Sequence, residues 1–181
     1  MIIFFGPAGA GKSIQGQILA ARQGWRWLSM GQLLRDTRDS EMFNIMQKGE
    51  LVSDDKIYGI VGNALNNVAN INNVILDGFP RQLEQARWLI DNQLPNGYSI
   101  DLVVVLDVPK DELMKRLALR GRADDTSQAI DERLQTYQNE MSPILDYFNE
   151  KNVNIAHVDG VGTVGQVHDR IIEELVACKL V

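Results

Sequence analysis

The sequence predicts an α/β fold in which a five-stranded parallel sheet lies between helical layers. Three observations lead there. Five short apolar runs alternate with helical patterns along the 181 residues, without an internal repeat. The run Leu102-Val103-Val104-Val105-Leu106 lacks any polar alternation, as expected of an inner strand covered on both faces. The first run meets a glycine-rich turn and then a helical pattern, the opening of a βα unit with a right-handed crossover.

Residues 2–5 are too few for a buried helix and stop at Gly6-Pro7, so they read as the first strand. Residues 12–23 carry Ile14, Ile18 and Leu19 at helical spacing. Residues 27–29 form a short second strand, and a helix starts at 33–38. Residues 41–47 read as helical, 49–52 break the pattern, and Ser53 followed by two acids suits a helix start. The stripe Ile57, Ile60, Val61, Ala64, Leu65 and Val68 continues that helix. Residues 74–76 are the third strand, ending in Asp77-Gly78-Phe79-Pro80, and 84–91 a helix. After the fourth strand, 111–120 is helical, 121–125 a polar break, and 127–149 a long helix that Pro143 should bend or divide. Residues 153–158 form the last strand and 167–176 the last helix. His157 reads as structural, and His168 as lying on the exposed face of the last helix. Residues 30–70 thus form a helical insertion without internal strands.

Composition narrows the function. Eighteen Lys plus Arg against 24 Asp plus Glu give a net charge of −6, which disfavours a nucleic-acid-coating role but leaves room for a local basic cleft. One cysteine, Cys178, and two separated histidines nearly exclude a structural zinc site. No run approaches the roughly 18 apolar residues needed to span a bilayer, so a cytoplasmic protein without a membrane partner is expected.

The strongest chemical signal is Gly6-Pro7-Ala8-Gly9-Ala10-Gly11-Lys12-Ser13, a full G-x-x-x-x-G-K-S match between a strand and a helix. Small residues let backbone N–H groups turn toward phosphate oxygens, and the helix start adds its positive end. Lys12 supplies an ammonium for the terminal phosphates, and Ser13 a hydroxyl where magnesium is held. Asp77 ends a strand beside this loop, suited to magnesium or its waters, with Arg81 in reach of a phosphate. Arg35, Arg116, Arg120, Arg122 and Arg133 form a spaced cationic set in an acidic chain, which suits a highly anionic ligand. Arg38, Arg87 and Arg170 lack such context and read as surface residues. The three tryptophans read as packing residues.

These motifs, in this order, resemble the adenylate kinase family of nucleoside monophosphate kinases across essentially the whole chain. GPAGAGKS resembles the family's phosphate loop, LSMGQLLR its monophosphate-binding segment, and GELVSDD the start of the next. DGFPRQLEQA is similar to the central signature, RLALRGRADD to the lid base, and RLQTYQNEMSPILDYF to the helix after the lid. The resemblance implies a P-loop NTPase-like three-layer fold, strand order 2-3-1-4-5. It also implies one domain over residues 1–181, with a monophosphate-binding lobe near 30–70 and a very short lid near 120–126. It further implies transfer of a phosphoryl group from Mg-ATP to AMP, giving two ADP, by a monomer that uses magnesium and no zinc. On the ATP side it points to Gly9, Ala10, Gly11, Lys12, Ser13, Ile14, Arg116 and Arg120. On the AMP side it points to Met30, Arg35, Val52, Gly78, Arg81, Gln85, Arg122 and Arg133. Lys12, Arg81, Arg120, Arg122 and Arg133 would act on the transferring group, and Asp124 would help hold the lid closed.

Four departures distinguish this chain. Ser13-Ile14 stands where the family reads Gly-Thr, so a hydroxyl has moved one position. Met30 replaces the usual threonine, only Gly121 separates Arg120 from Arg122, and the loop proline is Pro7, with Ala8 at its usual place. The alternatives are a UMP/CMP kinase or another nucleoside monophosphate kinase, and a non-catalytic ATP-binding protein.

Overall fold

The computed structural model describes residues 1–37, 53–68, 73–93, 97, 99–120 and 127–181. Its strands are β1 (Ile2–Phe5), β2 (Arg26–Ser29), β3 (Val74–Asp77), β4 (Leu102–Asp107) and β5 (Ile155–Asp159). The helices are α1 (Lys12–Gln23), α2 (Met30–Asp36), α3 (Asp54–Asn66), α4 (Leu83–Trp88), α5 (Lys110–Arg120), α6 (Ser127–Glu150) and α7 (Val164–Ala177). All strand pairs are parallel and the order is β2-β3-β1-β4-β5, as anticipated.

The sheet builds two cores because successive side chains in a strand point to opposite faces. Ile3 and Phe5 join Leu76, Val103 and Val105 under α2, α3 and α4. Ile2 and Phe4 join Ile75, Val104 and Leu106 against α1, α5 and α7. Burying both faces explains why β1 and β4 are apolar throughout. On one side Trp88 stacks on Tyr58 with ring centroids 4.6 Å apart, tying α3 to α4. On the other, Trp27 lies so close to Gly16 that a Cβ there would sit 2.7 Å from the indole.

Several elements differ from expectation. Helix α2 starts directly at Met30 rather than at 33, and α4 ends in a π-helical turn, Leu89–Gln93. Helix α6 runs unbroken for 24 residues through Pro143. Ile130 and Leu134 bury on one face of the sheet, whereas Ile144, Leu145 and Phe148 bury on the other. Burial on both sides of the proline offsets its cost of about 3 kcal/mol. Helix α7 begins at Val164, because Thr163 and Gln166 close a reciprocal capping box. His168 is buried, not exposed, and its Nδ1 lies 3.0 Å from Gln15 Oε1. The expected helix at 41–47 lies outside the described residues, as do parts of the 30–70 insertion and the break at 121–126. No helix among the described residues is long and apolar enough to cross a membrane.

Candidate active site

The site forms where the central strand β1 ends. In a parallel sheet the carboxyl ends of the strands open onto the ligand crevice, and residues 6–13 fill that edge. Gly9 has φ +87°, and a Cβ on it would lie 3.0 Å from Leu117 Cγ, so glycine lets α5 pack against the loop. Gly11 starts α1, whose first turn has no acid to neutralise its positive end. Ala10 is buried beneath the loop, whereas Ile14 is exposed on the cleft wall.

Lys12 Nζ donates to the carbonyls of Gly6 at 2.6 Å and Pro7 at 2.9 Å. Burial lowers this ammonium to about 8; Asp77 opposes the shift, while Arg81 and Arg120 add to it. Ser13 Oγ donates to Asp77 Oδ2 at 2.6 Å. Asp77 is the buried last residue of β3, in register with Phe4 of β1 and Ser29 of β2, which sets it beside the loop. A hydroxyl next to a carboxylate is a hard-oxygen pair of the kind that holds magnesium, a cation that takes few protein ligands and keeps water and phosphate oxygens for the rest. The residues present therefore fit that metal.

One cleft of about 730 Å³, within the usual size range for small-molecule sites, is lined by Lys12 and by Arg35, Arg81, Arg116, Arg120 and Arg133. Arg133 lies near enough to Arg81 to repel its guanidinium. Arg81 Nε donates to Gly78 O at 2.9 Å, and Arg35 Nη2 to Gln32 Oε1 at 3.1 Å. Arg116 pairs with Glu112 at 2.8 Å and donates to Gly160 O at 3.0 Å. Gly78 also lines the cleft, whereas Met30 is buried behind it, its Cβ 3.9 Å from where a Cβ on Gly78 would stand. Gln85 is likewise buried behind the wall. Its Oε1 accepts from the Arg81 N–H at 2.8 Å, and its Nε2 donates to Asp54 Oδ1 at 2.8 Å. Val52, Arg122 and Asp124 lie outside the described residues.

A phosphate loop followed by converging arginines is shared by several kinds of kinase, and comparison with known proteins separates them. The family model for adenylate kinase matches residues 4–153. An adenylate kinase of Mycolicibacterium paratuberculosis is 36% identical over 177 residues, covering 94% of this chain and 96% of that protein. The chain belongs to the adenylate kinase family. An adenylate kinase of Synechococcus is 38% identical, covering 94% of this chain and 95% of its own. One of Porphyromonas gingivalis is 33% identical, covering 94% and 92%.

Several cleft residues escaped the sequence reading. Thr136, Tyr137 and Glu140 line the cleft from α6, on the helical face that continues from Arg133. Their i+3, i+4, i+7 spacing from Arg133 was a usable signal. Leu119, Gly160 and Val164 also line the cleft. Nothing local marks them, because α5, β5 and α7 meet only in the folded chain.

Proposed function

We propose that the chain moves a phosphoryl group from Mg-ATP to AMP, giving two ADP. The observation that carries this reading is the convergence of Lys12, Arg35, Arg81, Arg120 and Arg133 on one cleft around a phosphate loop, in a protein of net charge −6. Two nucleotides brought phosphate to phosphate need such a set, since each repels the other until fixed cations hold both. The acceptor is a dianionic phosphate oxygen, so it needs no general base. Its bond to the γ-phosphorus forms as the bond to the β–γ bridging oxygen breaks, and the electron pair stays on the departing ADP. Lys12 follows the charge as it moves onto that oxygen. Arg81 and Arg35 hold the acceptor phosphate, while Arg120, Arg122 and Arg133 bear on the transferring group. Ser13 and Asp77 would hold magnesium, directly or through its waters, and the ion would supply neutralisation of triphosphate charge.

The acceptor base is the finer part of the proposal. A backbone N–H can only donate and a carboxylate can only accept, so Arg81 and Asp54 dictate which way the Gln85 amide points. One lone pair on Oε1, and the second N–H of Nε2 once it gives up its long 3.4 Å bond to Gln82 Oε1, then suit the N6 donor and N1 acceptor of adenine. Uracil, with a ring N–H and carbonyls, does not match that pair. Met30 offers a soft apolar contact in place of a hydroxyl. The whole chain acts as one kinase domain, a cytoplasmic monomer, with residues 30–70 closing on the acceptor and a short lid near 120–126. Initial rates with AMP, dAMP, CMP, UMP and GMP at fixed Mg-ATP test this: AMP should give the highest kcat/KM and UMP the lowest. CMP or UMP equal to AMP would overturn the acceptor assignment, and no transfer to any of them would overturn the activity.

A further inference from the structure

Three consecutive backbone carbonyls, those of Asp159, Gly160 and Val161, are each taken by a guanidinium. Arg170, on α7, donates through Nη1 to Asp159 O and to Val161 O, both at 2.7 Å. That nitrogen carries two hydrogens, so both bonds form at once. The same Nη1 lies 3.4 Å from Asp159 Oδ2. Arg116, on α5, takes the carbonyl between them, Gly160, at 3.0 Å. The loop's amides are also held: Gly160 N–H donates to Asp107 O at 2.9 Å, and Val161 N–H to Asp159 Oδ1 at 2.9 Å. Surface loops ordinarily leave such groups to water.

This loop walls one end of the cleft, the end away from Arg35 and Arg81. Gly160, Gly162 and Val164 face it there together with Ile14 and Leu119. Leu119 is 88% exposed, Ile14 51% and Val164 47%. Exposed apolar side chains beside the Arg116 guanidinium at this end suit a flat base, on whose faces both can pack. Arg170 itself does not line the cleft.

The geometry points to Arg170 as a positioning residue for the donor nucleotide. It acts through the 159–161 backbone to hold the wall on which the donor base packs, and it contributes nothing to the phosphate end. This rests on the donor-site reading above.

The test uses the full chain with Arg170→Ala and Arg170→Lys, comparing Mg-ATP with inorganic tripolyphosphate, which has the phosphates and no base. Arg170→Ala should raise KM for ATP roughly 3- to 10-fold, the scale of one or two modest hydrogen bonds. The turnover at saturation, KM for AMP and the inhibition constant of tripolyphosphate should not change. Arg170→Lys should recover most of the loss, because an ammonium can also donate to two carbonyls. An unchanged KM for ATP, or an equal weakening of tripolyphosphate or AMP, would overturn the assignment. Should Arg170→Ala fail to fold, Arg170→Gln puts the same comparison. Should the wild-type chain transfer nothing, the activity reading fails, while calorimetric titration with ATP and tripolyphosphate still decides the role of Arg170.

Discussion

The two ends of the cleft are held together in different ways. At the β4–β5 end, polar ties run between elements far apart in sequence. Arg116 reaches Gly160, Gln15 Nε2 donates to Val164 O at 2.9 Å, and His168 meets Gln15. At the β2–β3 end the arginines hold local partners: Arg35 bonds Gln32 one helical turn away, and Arg81 bonds Gly78 three residues back. Long-range ties are made only when the whole fold is made, so they leave a wall in place before any ligand arrives. An exposed local tie is worth a few tenths of a kcal/mol up to about 1 kcal/mol, and a phosphate easily outbids it. One end is built in advance, and the other has cations waiting to be redirected.

The largest test lies at the seam between the two. Lys12→Ala should cut turnover roughly 10²-fold or more without lowering the unfolding midpoint, since the ammonium serves a charge that develops during transfer and its burial costs the fold stability. Near-normal turnover in the folded variant would refute that role. Arg35→Ala should reduce kcat/KM for AMP roughly 10- to 100-fold, as expected for a charged bond to phosphate, and spare KM for ATP. A matching rise in KM for ATP would erase the distinction between the ends.

Gly160→Ala probes the prebuilt wall. Its Cβ would stand 2.5 Å from Val108 Cγ2, so overpacking of about 1–3 kcal/mol is expected, visible as a lower unfolding midpoint. A midpoint equal to wild type would show that the wall yields.

Proton linkage gives the next effect. In the folded chain Lys12 is lowered to about 8 from an ordinary 10.5. The unfolded chain therefore binds more protons between these values, and this group's contribution to stability rises with pH across that window. Below about 8 its destabilising burial is fully felt. A bound triphosphate restores the charge, so ATP affinity should be level below pH 8 and fall about tenfold per unit above it. Calorimetric titration should show proton uptake at pH 9 that Lys12→Met abolishes; uptake unchanged in that variant would assign the proton elsewhere.

The smallest effect contrasts with Gly160. Gly59 lies exposed within α3 with nothing where its Cβ would stand, so Gly59→Ala should stabilise by about 0.4–1 kcal/mol. Destabilisation would mean that this helix needs its glycine.

Legibility followed the range of the interactions. The strands were readable because burial on both faces forces continuous apolar runs, and the phosphate loop because its function lies in eight consecutive residues. Arg35, Arg81, Arg116, Arg120 and Arg133 could be gathered from motif spacing, and the fold does bring them to one cleft. Arg170 does lie at the surface, but its bonds to backbone carbonyls are ones that no side-chain pattern announces. His168 was misplaced because its partner, Gln15, is 153 residues away. The start of α7 had a local signal in Thr163-Val164-Gly165-Gln166, outweighed by the later apolar stripe. Pro143 does not divide its helix: a breaker acts locally, whereas the burial that holds the helix together comes from two separate layers.

The lysine that grips its own loop sets a threshold. The ammonium of Lys12 is solvated by the carbonyls of Gly6 and Pro7, so every incoming anion competes with the protein itself. A single small anion replaces two good acceptors with little better and gains almost nothing. A polyphosphate brings several oxygens and enough charge to displace both carbonyls at once. The loop thus carries its own stopper, which abundant monovalent anions leave in place and a nucleotide triphosphate removes.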